Sequence, residues 1–214
     1  MDLRLIALLD AGTVPLRALG PWLEAARAGG VTGIQLRDKS RSTREVYAYG
    51  RHLAAVARSL GLWLAVDDRP DLAMALGADL VHLGRTDLPP EAARRAAPSL
   101  PLGLSASDLA EVAEAQAHAP VYIGFGPVFP TPSKADAAPP AGLPLLAQAV
   151  RASARPVVAI GGIRPGNADA VWAQGVAGVA VLSALAEAEA PSEVHRRARA
   201  LVRGAPPRAG EARR

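Results

Sequence analysis

Lysine occurs at only two places in this chain, Lys39 and Lys134, among 24 basic residues. A sequence that otherwise relies on arginine sets both in stretches whose residue types could do chemistry. Lys39 closes Gln35-Leu36-Arg37-Asp38-Lys39. Alternation with a period of two puts Gln35, Arg37 and Lys39 on one side of an extended segment. One amide and two cations converging in this way suit a ligand with phosphate oxygens, an ordinary charged loop being the plain alternative. Lys134 lies in GFGPVFPTPSKAD (124–136). The glycines there permit close backbone approach, the prolines stiffen the segment, and Thr131, Ser133 and Lys134 offer donors.

Carboxylates recur in the same kind of place. Asp67-Asp68-Arg69 and Gly84-Arg85-Thr86-Asp87 each follow a short apolar run. Acids at two neighbouring strand ends can share a hard divalent cation, since Mg2+ takes one or two carboxylates and completes its shell with phosphate oxygens and water. Helix capping, or salt bridges to Arg69 and Arg85, would use the same residues for structure alone. Ser105 closes another run in GLSAS, where capping of the next helix by Ser107 or Asp108 competes with a ligand role. Ile160-Gly161-Gly162-Ile163 and Val181-Leu182-Ser183 end two further runs. Gly162 would let the backbone approach a phosphate, and tight packing is the alternative use of the glycines.

These residues need a scaffold that brings strand ends together. Eight apolar runs supply it: 3–9, 32–37, 62–66, 80–83, 102–105, 121–125, 156–161 and 178–183. Segments with helical spacing lie between them, including 43–60, 107–118, 142–153 and 167–174. Gly61 and Gly175 follow two of these segments, and Ser42 or Thr43 can cap the first. Eight strand–helix units with short connections predict a parallel sheet closed into a (β/α)8 TIM barrel, an α/β fold. An open doubly wound sheet would call for a glycine-rich turn after the first strand, and no GxGxxG stands there. The chain reads as a single domain over 1–203, with 204–214 a disordered basic tail. In a barrel, chemistry belongs at the C-terminal ends of the strands. The connection after the sixth strand runs to about fifteen residues, a length that marks functional loops.

Composition narrows the field. The 214 residues include no cysteine, which excludes disulfides and thiolate metal sites. Aromatics make up 4%, so Ala, Val, Leu and Ile must build the core. The N-terminus has charges at Asp2, Arg4 and Asp10 and does not resemble a signal peptide, and no apolar stretch is long enough to span a bilayer. A cytoplasmic protein without membrane partners is expected. The net charge of +4 gathers in the last twenty residues, as expected of a solvated helix face and a frayed end. Interleaved aromatic and basic residues, which would stack single strands, are lacking, so nucleic acid is not an expected partner. His82 lies within a strand and reads as interior packing. His52, His118 and His195 fall on helices or at their ends and suggest no triad.

The assembled residues resemble the thiamine-phosphate synthase family from about Leu3 to Leu185, in QLRDK, DDRPDLA, ADLVHLGRTDLP, GLS, YIGFGPVFPTPSKADA, PVVAIGGI and GVAVLSAL. The resemblance implies joining of 4-amino-2-methyl-5-pyrimidinylmethyl pyrophosphate to a thiazole phosphate, with release of pyrophosphate through a carbocation. It further implies that Gln35, Arg37 and Lys39 hold the pyrimidine pyrophosphate, with Ser105 and Lys134 also contacting that substrate. Asp68 and Asp87 would be ligands of Mg2+. Thr131, Ser133 and the backbone of Gly162, Leu182 and Ser183 would take the thiazole phosphate. A homo-oligomer is compatible with this reading.

Three positions depart from the family pattern. Asp67 stands where Asn is usual, Arg85 where Gln is usual, and Ala106-Ser107 where Thr-His is usual. Asp67 would line the pyrimidine pocket, and a salt bridge between Asp67 and Arg85 is conceivable. The related thiazole tautomerase shares the barrel and phosphate cup, but Lys39, Asp68, Asp87 and Pro127 favour the synthase. A non-catalytic barrel binding phosphate ligands, or an RNA-binding protein using its Arg-rich end, is the reading from another class.

Overall fold

A computed structural model of the chain describes residues 1–131 and 139–207. Its centre is a closed, all-parallel barrel of eight strands. The strands are β1 (Leu5–Leu9), β2 (Gly33–Leu36), β3 (Trp63–Asp67), β4 (Leu80–Leu83), β5 (Leu102–Ala106), β6 (Tyr122–Phe125), β7 (Val157–Ile160) and β8 (Gly178–Val181). Each lies beside its neighbour in chain order, and β8 closes on β1 through Leu5 opposite Val179. The (β/α)8 expectation holds.

The helices are α1 (Leu16–Gly29), α2 (Thr43–Ser59), α3 (Pro70–Leu76), α4 (Pro90–Ala96), α5 (Leu109–Ala117), α6 (Gly142–Ala152), α7 (Ala168–Trp172), α8 (Ser183–Ala186) and α9 (Pro191–Leu201). Ser42 rather than Thr43 caps α2: its Oγ accepts from the Glu45 amide, and the Glu45 carboxylate accepts from the Ser42 amide. That reciprocal pair satisfies donors which the first helical turn leaves unpaired. The eighth strand leads into two helices rather than one, the four-residue α8 and then α9.

Two apolar cores follow from strands buried on both faces. The larger lies between barrel and helices and includes Leu23, Ile34, Leu53, Val112 and Val194. The smaller fills the barrel, with Ile6, Leu8, Ala65, Leu80, Tyr122, Val158 and Ala180. Some inward positions are glycine because a bulky neighbour claims the space. A Cβ on Gly33 would fall 2.0 Å from the Trp63 ring. No helix among the described residues is long and apolar enough to cross a membrane.

Candidate active site

The C-terminal ends of the strands enclose a cavity of about 330 Å³. It is lined by Gln35, Arg37, Lys39, Asp67, Asp68, Asp87, Ser105, Thr131, Gly162, Leu182 and Ser183, every described residue that the sequence nominates. Ser133 and Lys134 lie outside the described residues.

The inward alternation of β2 places Gln35 inside the barrel and Arg37 just beyond it. Gln35 is 4% exposed. Its Nε2 donates to Asp67 Oδ1 at 2.8 Å, and its Oε1 accepts from the Tyr122 hydroxyl at 3.3 Å. Arg37 Nε meets the other oxygen of Asp67 at 2.9 Å. Asp67 is therefore paired with Arg37, and the conceivable bridge to Arg85 does not form. Arg85 turns outward instead, to Glu111 at 3.2 Å and Glu114 at 2.7 Å on α5. Both β2 and β4 lie beside β3, so side-chain direction decides: Arg37 continues the inward alternation of Gln35, whereas Arg85 is out of phase with the inward His82. Burial pushes the Asp67 carboxyl up to about 7, helped by the Asp68 charge and opposed by Arg37.

Asp68 is reached through a left-handed backbone, φ 65°, which turns its side chain from the strand toward the mouth. Its Oδ2 lies 2.9 Å from Lys39 Nζ, and it shares a hydrogen bond with Asp87. Burial opposes ionisation of Asp68, yet the bonds to Asp87 and Lys39 outweigh it and hold the carboxyl below the usual range. Asp87 moves the other way, raised first by burial and then by the proton it shares with Asp68. Asp87 Oδ2 also accepts from the Gly84 amide at 2.7 Å. A Cβ on Gly84 would lie 2.9 Å from that oxygen, so glycine is what admits the contact.

Ser105 does not cap α5. Asp108 does, by accepting from the Glu111 amide, while Ser107 binds the Glu111 carboxylate. Ser105 Oγ sits 2.9 Å from His82 Nε2. His82 thus lines the cavity in addition to packing in the barrel. Tyr122, which supports Gln35, is a residue that sequence reasoning passed over. The alternation of Val121-Tyr122-Ile123-Gly124 sets it on one face with Gly124, but both faces of a barrel strand are buried and the sequence does not say which is inward.

On the far side, the loop after β6 packs against the end of β7. Val128 and Phe129 amides donate to Ile160 and Gly161 carbonyls at 2.9 and 3.0 Å. Gly162, φ 65°, leaves no room for a side chain: a Cβ would lie 2.6 Å from the Pro130 carbonyl oxygen and 2.7 Å from Phe129 Cβ. Its glycine character thus serves loop packing, and its backbone borders the cavity.

The arrangement places cations and a proton-sharing acid pair on one wall and backbone-rich turns on the other. Comparison with known proteins identifies the family. The family model described as thiamine monophosphate synthase matches residues 5–185. A thiamine-phosphate synthase of Chloroflexus aurantiacus is 41% identical over 202 residues, 94% of each chain. One from Pyrococcus furiosus is 44% identical over 176 residues, covering 81% of this chain and 84% of its own. A solved thiamine phosphate pyrophosphorylase from Pyrococcus furiosus superposes with a TM-score of 0.83 at 38% identity, covering 94% and 95% of the two chains.

Proposed function

The chain belongs to the thiamine monophosphate synthase family, a class of transferases, and we propose on that premise how its cavity divides the labour of the reaction. The substrates are the aminopyrimidine-methyl pyrophosphate and a thiazole phosphate, and the setting is cytoplasmic biosynthesis. The observation that carries the reading is the cluster of Arg37, Lys39, Asp68 and Asp87 on one wall of a single cavity.

In the proposed reaction the methylene C–O bond breaks heterolytically, and its electron pair leaves with pyrophosphate. The cation that remains is stabilised by the aminopyrimidine ring. The thiazole nitrogen then donates its lone pair to the methylene carbon, forming the new C–N bond. Neither step needs a protein nucleophile or a strong base. Both need neutralised charge on the leaving group and a second substrate held in line.

Arg37 and Lys39 supply the charge. Arg37 is anchored through Nε to Asp67, which leaves its terminal nitrogens to reach phosphate oxygens. Lys39 is held at the mouth by Asp68. Lys134 is assigned to the same leaving group, and Ser105 and Gln35 to the pyrimidine ring. Thr131, Ser133 and the backbone of Gly162, Leu182 and Ser183 are assigned to the thiazole phosphate.

Asp68 and Asp87 fit Mg2+. Two carboxylates close enough to share a proton present the acceptors that a divalent ion would take in its place. No cluster of three or more acidic, His or Cys side chains suited to a metal occurs among the described residues. That small donor set suits an ion which completes its shell with phosphate oxygens and water. When bound, Mg2+ supplies further neutralisation of the departing pyrophosphate.

The test is pyrophosphate release from the purified protein, with and without thiazole phosphate and Mg2+, beside Asp87→Ala. The reading requires release that depends on Mg2+, yields thiamine phosphate, and falls about 100-fold or more in the variant. Thiazole phosphate binding without release would overturn it.

A further inference from the structure

Below the ligand-facing residues lies a layer of the barrel that the reaction above leaves unused. His82 is the register partner of Gly103 across β4 and β5, and Gly103 that of Tyr122 across β5 and β6. The bare glycine lets the two flanking rings meet over it, stacked with centroids 5.4 Å apart and planes inclined by 19°. A Cβ on Gly103 would lie 2.7 Å from His82 Nδ1 and 2.8 Å from Tyr122 Cζ, and one on Gly124 would lie 3.1 Å from His82 Cε1. The two glycines therefore hold the imidazole in one place.

The same packing decides where its proton sits. A doubly protonated ring would bury an N–H at each nitrogen and only Nε2 has a partner, so the ring is neutral and carries one N–H. Nδ1 has no hydrogen-bond partner among the described residues. What it faces is a C–H of Gly103, since the bond a Cβ would occupy points at it. A C–H suits a lone pair and opposes an N–H. An orphaned buried donor is also rarer than an under-used acceptor. The proton belongs on Nε2, which lies 2.9 Å from Ser105 Oγ. Ser105 then accepts from below, and its own O–H has to point elsewhere. Ser105 lines the cavity, and the His82 contact is the one hydrogen bond of its hydroxyl among the described residues.

We propose that His82 is a positioning residue which, by donating from Nε2, frees the Ser105 hydroxyl to donate its hydrogen bond toward the cavity. That point of the floor then favours an acceptor, such as an unprotonated ring nitrogen, to which the freed O–H can donate. The identity of the acceptor rests on the function proposed above, because the aminopyrimidine presents ring nitrogens without hydrogens.

Two measurements test this independently. Two-bond proton–nitrogen NMR spectra of the ligand-free protein report the tautomer directly, whatever the protein catalyses. An Nε2–H imidazole is expected; an Nδ1–H or doubly protonated ring would overturn the proposal. Kinetics then ask whether the effect passes through Ser105. His82→Phe keeps the stack with Tyr122 but removes the donor. It should raise KM for the pyrimidine pyrophosphate about 10-fold, the worth of one hydrogen bond of ~1.4 kcal/mol, and leave KM for thiazole phosphate unchanged. His82→Gln, which carries an amide donor near the Nε2 position, should recover most of the loss. In a Ser105→Ala background, His82→Phe should add nothing. Additive losses, or equal rises in both KM values, would overturn the positioning role. If His82→Phe does not fold, the tautomer and His82→Gln decide. An Nε2–H ring in a protein that makes no thiamine phosphate would overturn the substrate assignment alone.

Discussion

Asp67 gives its two oxygens to two donors, Gln35 Nε2 at 2.8 Å and Arg37 Nε at 2.9 Å. An amide in its place has one acceptor oxygen and must aim an NH2 group at one of those donors. Asp67→Asn is thus expected to release Arg37 rather than leave it untouched. Steady-state kinetics should show KM for the pyrimidine pyrophosphate rising about 10-fold, as for loss of one charge-assisted hydrogen bond. An unchanged KM would mean that the pair does not position Arg37. Tyr122 acts one step lower, donating to Gln35 Oε1 from a buried ring. Tyr122→Phe keeps the ring and its stack with His82 and removes only the hydroxyl. It should cost about 1 kcal/mol, read as a fall in Tm of about 2–4 °C. The residue types of this network were legible in the chain, but the pairing was not. Asp67 and Arg85 looked like partners by charge. Arg85 goes to Glu111 and Glu114, while Arg37, in phase with the inward Gln35, reaches Asp67 on the strand beside it.

The elements themselves were more legible than their contacts, because each is written locally. A short apolar run between turn residues specifies a buried strand, and all eight runs became strands. Their ends moved by at most two residues: β4 keeps both of its ends, while β1 begins at Leu5 rather than Leu3. There the Leu3 carbonyl instead crowds Gly178, 1.8 Å from where a Cβ would stand. The start of α2 was legible for the same local reason, since Ser42 and Glu45 have capping-box spacing. Ser42→Ala should cost about 1 kcal/mol and lower Tm by about 2–4 °C. Turnover should stay unchanged, because the cap is not among the cavity residues. A loss of activity without a change in Tm would show that this helix start does more than hold the barrel. By contrast, His82 over Gly103 beside Tyr122 depends on three strands far apart in sequence. Nothing local in LVHL, LGLS or VYIGF reports that stack.

For the whole molecule, the proposed site and the closure of the barrel lie in different parts of the fold. The C-terminal face carries the acids and cations. A cavity of about 550 Å³, lined by Arg27, Arg58, Trp63 and Asp79, opens where β2, β3 and β4 begin, away from those residues. The helix after α8 lies beyond the family match, which ends at residue 185. Yet α9 buries Val194, Ala198 and Leu201 completely, and the Leu201 carbonyl accepts from Trp172 Nε1 at 2.8 Å. Its packing on α1 is close: a Cβ on Gly29 would lie 2.6 Å from Ala198 Cβ. Arg197, expected on a solvated face, binds Glu193 and the Ala184 carbonyl, tying α9 to α8. Exposing Val194 and Leu201 alone would forfeit about 3–6 kcal/mol, comparable to the roughly 5–15 kcal/mol that keeps a domain folded. A chain ended before Pro191 is therefore expected to lose its cooperative melt and its turnover together. A chain ended at Pro207 keeps every contact of α9 described here and should melt and turn over as the full chain does. Calorimetry of the two truncations separates the roles. If the shorter chain melts normally and still releases pyrophosphate, α9 is an accessory and the barrel closes without it.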